Sequence, residues 1–186
     1  MSPYEKCPVF ENENYLIRFV QMTDASDLYL VYSDEKAVPI FNSDNCTNEF
    51  YCKTVKQMHQ MIEFWQREYQ NKYYVRWTIW DKAISQAVGT IELFSRKAED
   101  YFNDCGLLRL DLRSDYEYED RITAILELIL TPAWDLFQCK MIATKVPTFA
   151  AERKNAVEKL GFQMSNEVLV GSHSGVIYTN YFVINR

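Results

Sequence analysis

Two carboxylates, Glu92 and Asp111, stand on stretches that read as strands. A carboxylate held on a rigid strand beside an amine has the chemistry of a general base: it takes the proton that nitrogen loses on attacking a carbonyl. Each also fits the plain role of a strand charge facing water. Asp111 opens a run of concentrated charge, with Asp115, Glu117, Glu119 and Asp120 following against Arg113 alone, and Arg121 directly after. The other reactive residue types sit in weaker settings. Cys105 precedes a strand and reads as a small buried apolar residue rather than a nucleophile. His173 lies in a polar turn and reads as exposed. Tyr178 and Tyr181 on the last strand have the reach to enter a cleft, but among 13 tyrosines packing is the ordinary role. Cys46, Cys52 and His59 match no common zinc spacing, and no Ser–His–Asp motif occurs, so no metal is expected.

The elements that must position these groups follow from periodicity. Leu107–Leu112 reads as a strand. A helix from about Asp120 carries Ile122, Ile125, Leu126, Ile129, Leu130 and Ala133 on one side, and Met141–Val146 reads as the next strand. Two strands joined by a helix of this length form a parallel pair with a crossover. Ligands of such units sit at the carboxyl ends of the strands, where the helix begins. The turn from Arg113 to Asp120 is therefore the place to look for a ligand.

Around this unit, residues 1–13 read as a loose lead-in and Tyr15–Val20 as a strand. Thr23 and Asp24 cap a helix with Leu28, Leu30 and Val31 inward. Pro39–Cys52 reads as loop. Thr54 opens a second helix with Val55, Met58, Met61, Ile62, Trp65 and Tyr69 at helical spacing. That stripe suits a core, with an aromatic substrate-binding face as the alternative. Tyr73–Trp80 and Gln86–Ser95 form a hairpin about Asp81–Ser85. After the central unit, Pro147–Leu160 reads as a short helix stopped by Gly161. Phe162–Gly171 and Val176–Ile184 read as two closing antiparallel strands. The order β-α-α-β-β-β-α-β-α-β-β is a mixed α+β layout.

At 186 residues the chain fits one domain, 1–186, with a sizeable core. Only five glycines argue against a phosphate-cradling loop protein, and a net charge of −6 gives no basic footprint for nucleic acid. No apolar run approaches the length of a membrane span. Five cysteines, an odd number without a Cys-x-x-Cys pair, suit reduced thiols and a cytoplasmic setting.

The segment Asn155-Ala156-Val157-Glu158-Lys159-Leu160-Gly161-Phe162, with Gln138 to Val146 upstream and the hairpin around Val88-Gly89-Thr90-Ile91, resembles the GNAT acyltransferase superfamily, in its branch of ribosomal-protein-type N-acetyltransferases. The resemblance spans roughly residues 14–184. It implies a GNAT-like α+β fold: a mixed, mostly antiparallel sheet with a central β-α-β crossover, flanked by helices. It implies N-acylation, with acetyl moved from acetyl-CoA to an amine of a small molecule or protein. The cofactor would lie between the splayed strands of the crossover, held by backbone groups of Leu110, Asp111 and Leu112 and of Arg121, Ile122 and Thr123. Glu92 or Asp111 would be the base, and a cationic amine would suit the acidic cleft.

The residues depart from the family pattern where the pyrophosphate should bind. The turn's two glycine positions fall on Tyr118 and Asp120, and the small residue after them on Ile122. The asparagine and serine of the later helix fall on Ala150 and Arg153, and no tyrosine stands near Val157 and Glu158. No glycine occurs between Gly106 and Gly161. Carboxylates at a helix start occupy the N–H groups a phosphate needs, Asp120 as N-cap above all. A like charge about 4 Å from a phosphate costs on the order of a few kcal/mol. The second reading is therefore a non-catalytic GNAT-fold binding or assembly protein without CoA. An open V between Leu112 and Thr144 would imply a cofactor slot; a V filled by Tyr116 or Tyr118 would imply none. The sequence names neither the acceptor nor the oligomeric state.

Overall fold

The computed structural model describes residues 2–46, 50–172 and 175–186; His173 lies outside them. The strands are β1 (Phe10–Glu11), β2 (Tyr15–Phe19), β3 (Val75–Asp81), β4 (Gln86–Arg96), β5 (Cys105–Leu112), β6 (Met141–Lys145), β7 (Gln163–Met164), β8 (Leu169–Val170), β9 (Ile177–Tyr178) and β10 (Tyr181–Asn185). The helices are α1 (Ala25–Tyr32), α2 (Val55–Gln70), α3 (Glu119–Phe137) and α4 (Ala151–Lys159). One sheet runs β1-β2-β3-β4-β5-β6-β10-β7, and β8 with β9 forms a separate ribbon. Each described pairing is antiparallel except β5 with β6, which α3 joins as a parallel crossover. This is the α+β layout the sequence implies.

Period-two alternation divides the sheet into two unlike faces. Val75, Trp77 and Ile79 of β3, Ile91 and Leu93 of β4, and Leu108, Leu110 and Leu112 of β5 join the core with α3 and α4. The residues between them are Arg76, Thr78, Thr90, Glu92, Arg109 and Asp111, all buried and all polar. They lie on the side of α1 and α2, whose Leu28, Val31, Met58, Ile62 and Trp65 form a second core. Local chemistry sets the helix ends. Thr54 caps α2 through its side chain, accepting from the Gln57 N–H at 3.1 Å. Gly161, at φ +92°, takes the left-handed step after α4.

The structure corrects several expectations. Leu30 points outward at 47% exposure, and Ala25 and Tyr32 take its place inside. The lead-in is not loose: Phe10 and Glu11 pair with β2, Pro8 O accepts from the Trp77 indole at 2.9 Å, and Pro3 O accepts from the Tyr69 hydroxyl. The two closing strands break into four short ones, β7 to β10. Helix α3 begins at Glu119, so Tyr118 rather than Asp120 is its N-cap, and Tyr118 supplies no side-chain cap.

β4 crosses β5 closely at Gly89, where an added Cβ would lie 2.3 Å from the Asp111 carbonyl oxygen and 3.1 Å from the Leu112 Cα. Backbone cannot swing aside as a side-chain tip does. Gly89→Ala is therefore expected to lower stability by about 2–3 kcal/mol, read as a reduced urea midpoint.

Candidate functional site

The register of the sheet assembles a charged row. Arg76 of β3 pairs across to Glu92 of β4, which pairs across to Arg109 of β5; the adjacent row is Thr78, Thr90 and Asp111. One Arg76 nitrogen, Nη1, donates to the Tyr32 hydroxyl at 2.9 Å, to Thr90 Oγ1 at 3.0 Å and to Asp111 Oδ2 at 3.0 Å. Its Nη2 ion-pairs with Glu92 Oε2, and Arg109 Nη1 reaches Glu92 Oε1 at 3.0 Å. The Tyr32 hydroxyl donates to Asp111 Oδ2 at 2.7 Å. Burial and then the nearby Asp111 charge push Tyr32 well above its usual pKa, so it stays a donor. Burial alone would raise the Glu92 carboxyl, but Arg76 and Arg109 outweigh it and hold the group below its usual value. Both sequence-named base candidates thus lie in one buried cluster. Glu92 has both oxygens bound to guanidinium groups, whereas Asp111 keeps Oδ1 without a hydrogen bond among the described residues.

Beside this cluster opens a cavity of about 890 Å³. Arg76, Glu92 and Arg109 form its charged floor, and Phe64, Trp65 and Tyr74 are among its aromatic walls. Trp65 lies with its ring 4.4 Å from the Arg76 guanidinium carbon. Glu68 lines the rim, with no ion-pair partner among the described residues. The stripe on α2 is mostly core, with Met58 and Ile62 wholly inside, while Met61 and Trp65 also line the cavity. Neither Arg76 nor this cavity was singled out in the sequence. The available signal was an arginine set between Val75 and Trp77 in an otherwise apolar alternation.

The residues implied as cofactor contacts gather at the other end of the crossover. β5 and β6 pair from Cys105↔Met141 to Leu108↔Thr144 and no further, so the strands part at Arg109. The V is filled by neither Tyr116 nor Tyr118. Tyr116 turns away and donates to Asp81 Oδ2 at 2.7 Å, and Tyr118 is half exposed. Arg153 of α4 fills it instead. Its Nη1 donates to the Leu110 carbonyl at 2.7 Å, its Nε donates to Glu117 Oε2 at 3.1 Å, and its Nη2 ion-pairs with Glu117 Oε1. Four backbone N–H groups of the turn are similarly taken. Ser114 N–H goes to Asp34 Oδ2 at 2.8 Å, Tyr116 N–H to Arg113 O, Glu117 N–H to Ser114 O and Tyr118 N–H to Tyr116 O. At the start of α3, Glu119 N–H goes to Glu152 Oε2 at 2.9 Å and Arg121 N–H to Asp120 Oδ1 at 2.8 Å. Ile122 N–H closes the first helical bond to Tyr118 O, and the Ile122 side chain is fully buried. Thr123 Oγ1 bonds back to Glu119 O. The Arg121 guanidinium lies over the Tyr116 ring and donates to Asp115 O.

No family model matches the chain, and no curated protein sequence matches it. Solved structures do resemble it. RimJ of Mycobacterium smegmatis, in complex with CoA-disulfide, superposes with a TM-score of 0.73 at 13% identity over 100% of this chain and 90% of that one. A GNAT-family acetyltransferase from Bacillus anthracis gives 0.70 at 13% identity over 96% and 98%. The microcin C7 self-immunity acetyltransferase MccE, in complex with acetyl-CoA and AMP, gives 0.68 at 16% identity over 94% of each chain. The chain has the GNAT acetyltransferase fold. The cofactor this fold implies does not fit the residues present. The Leu110 carbonyl and the N–H groups named above already have partners, and Glu119, Asp120 and Glu152, against Arg121, line the hollow at the start of α3.

Glu92→Gln removes the carboxylate shared by two buried guanidinium groups, and is expected to cost roughly 3–5 kcal/mol of unfolding free energy. The native pKa of Glu92 is depressed. Its stabilisation is therefore present above the unfolded value of about 4.3 and is lost as pH falls through the folded value. Melting curves from pH 7 into acid should show the gap between wild type and Glu92→Gln closing.

Proposed function

We propose that this protein binds a cationic amine in the aromatic cavity over β3–β5. The cavity itself carries the reading: about 890 Å³ with Phe64, Trp65 and Tyr74 as walls and the Glu68 carboxylate at the rim. A primary ammonium group finds there the two things that recognise it, aromatic faces and an acid outside any ion pair among the described residues. The floor does not oppose it, since the Arg76 and Arg109 charges are matched by Glu92 and Asp111.

A second reading, acetyl transfer from acetyl-CoA to that amine, has the support of the fold and of one local feature. β5 and β6 part after Leu108 and Thr144, as a cofactor cleft requires. In this reading the acceptor is an amine of a small molecule or protein, and a carboxylate takes its proton. Asp111 suits that role better than Glu92, because one of its oxygens has no hydrogen bond among the described residues while both oxygens of Glu92 are held by arginines. The contacts of Arg153 and of the turn weigh against transfer.

Calorimetric titration with butylamine, phenethylamine and a short peptide bearing a free amino terminus tests the binding reading. Saturable heat is expected with at least one of them, strongest for the aromatic amine, and Glu68→Gln should weaken it about 5–10-fold. Absence of heat with all three at millimolar concentration would refute it. Release of free CoA thiol from acetyl-CoA in the presence of the bound amine would decide for the transfer reading.

A further inference from the structure

We propose that the Glu152–Arg153 pair of α4 is a built-in replacement for the fold's cofactor, which closes the slot permanently and makes the protein a binder rather than a transferase. The two neighbouring side chains take opposite chemical parts. The Glu152 carboxylate accepts from the Glu119 N–H at the start of α3, where an anionic group would be received. Arg153 donates to the Leu110 carbonyl at 2.7 Å, on the strand edge that the parting of β5 from β6 leaves unpaired. A cofactor would supply an anion at the first place and an amide donor at the second, and α4 supplies both.

The burial of the Arg153 contacts argues for a fixed element rather than a displaceable latch. Its side chain is 3% exposed and that of Glu117 is 8% exposed. The guanidinium grips Glu117 with two nitrogens, the fork geometry that gives the strongest charge-assisted pairs. Any ligand entering the V must displace Arg153 from Leu110 O and leave a guanidinium and a carboxylate buried with poorer partners. That penalty corresponds to roughly a hundredfold or more in affinity. A pyrophosphate would in addition approach Glu119, Asp120 and Glu152 at the same end. Lys159 of α4 pairs with Glu119 at 3.1 Å, so α4 holds the start of α3 from two points.

The experiment is a set of thermal melts of the whole chain with and without 1 mM acetyl-CoA, on wild type, Arg153→Lys, Arg153→Met and Glu152→Ala. The replacement role predicts that acetyl-CoA does not shift wild type, and that any shift appears only where Arg153 is removed. It also predicts that Arg153→Lys melts below wild type and Arg153→Met lower still, because a lysine keeps the charge but not the fork. If Arg153→Met does not fold, Arg153→Lys and Glu152→Ala carry the test, since Glu152 is an exposed residue. Hydrogen exchange gives an independent readout: the Glu119 amide should be protected in wild type and exchange faster in Glu152→Ala, with acetyl-CoA restoring no protection. Stabilisation of wild type by acetyl-CoA, or an Arg153→Met protein as stable as wild type, would overturn the proposal, whereas stabilisation confined to Arg153→Met would support it. Acetyl-CoA binding would leave the amine reading of the cavity intact, and failure of every amine to bind would leave the slot's closure intact, so the two proposals fail separately.

Discussion

The contact on which the rest of the structure depends is Arg76 with its four partners. A guanidinium cannot be buried unpaired, and both terminal nitrogens of this one are held, by Tyr32 from α1, Thr90 and Glu92 from β4, and Asp111 from β5, while its Nε has no hydrogen bond among the described residues. The row Arg76–Glu92–Arg109 is possible only when β3, β4 and β5 hold their observed register, because a slip of any one strand by one residue would turn its charge into the α3–α4 core. The ion pairs therefore specify register on one face while the branched residues between them fill the other. They also shape the side of the molecule that holds the cavity. α1 and α2 close over a polar sheet face, through the Tyr32 hydroxyl and the Trp65 ring, and the gap beside that closure is the cavity.

The crossover presents a different case, in which the fold keeps a feature and the side chains change its use. Strands β5 and β6 part as in a protein with a ligand between them, and α3 starts beside the gap with N–H groups that need partners. Backbone groups left by such geometry must be satisfied by something. Here the molecule satisfies them itself: Arg153 at the Leu110 carbonyl, Glu152 at the Glu119 amide, Asp34 at the Ser114 amide. The unpaired backbone comes from the topology, and the identity of its partners comes from the sequence.

Much of this was legible in the residues, and the limit falls along a physical line. The strands, the helices of the central unit and the α+β order follow from periodicity and caps, which are local. The crowding of carboxylates before α3 and the absence of glycine there were equally plain, because they are facts of composition within a short segment. Arg153 was visible as an arginine where the family pattern has a serine. Its destination was not, since Glu117 lies 36 residues away and the Leu110 carbonyl 43. The row through Arg76 was hidden for the same reason: only the register of three strands brings it together. Leu30 and the closing strands show the opposite case. Their apolar character reads as burial, yet Leu30, Val170, Val176 and Ile177 remain exposed.

The two carboxylates that drew attention first now separate by environment. Glu92 is an ionised carboxylate clamped between guanidinium groups, and a group whose charge is this well stabilised is a poor proton acceptor, because taking a proton would forfeit both ion pairs. Its position beside the cavity makes it an electrostatic counterweight to the two arginines that line it. Asp111 is equally buried but is only half engaged: Oδ2 takes Tyr32 and Arg76, and Oδ1 takes nothing among the described residues. A buried oxygen without a donor is costly, so it survives where another requirement outweighs that cost. At Asp111 the requirement is the closure of Arg76 and Tyr32 on one carboxylate oxygen. The same side chain thus completes the structural network while keeping one buried oxygen without a hydrogen bond among the described residues.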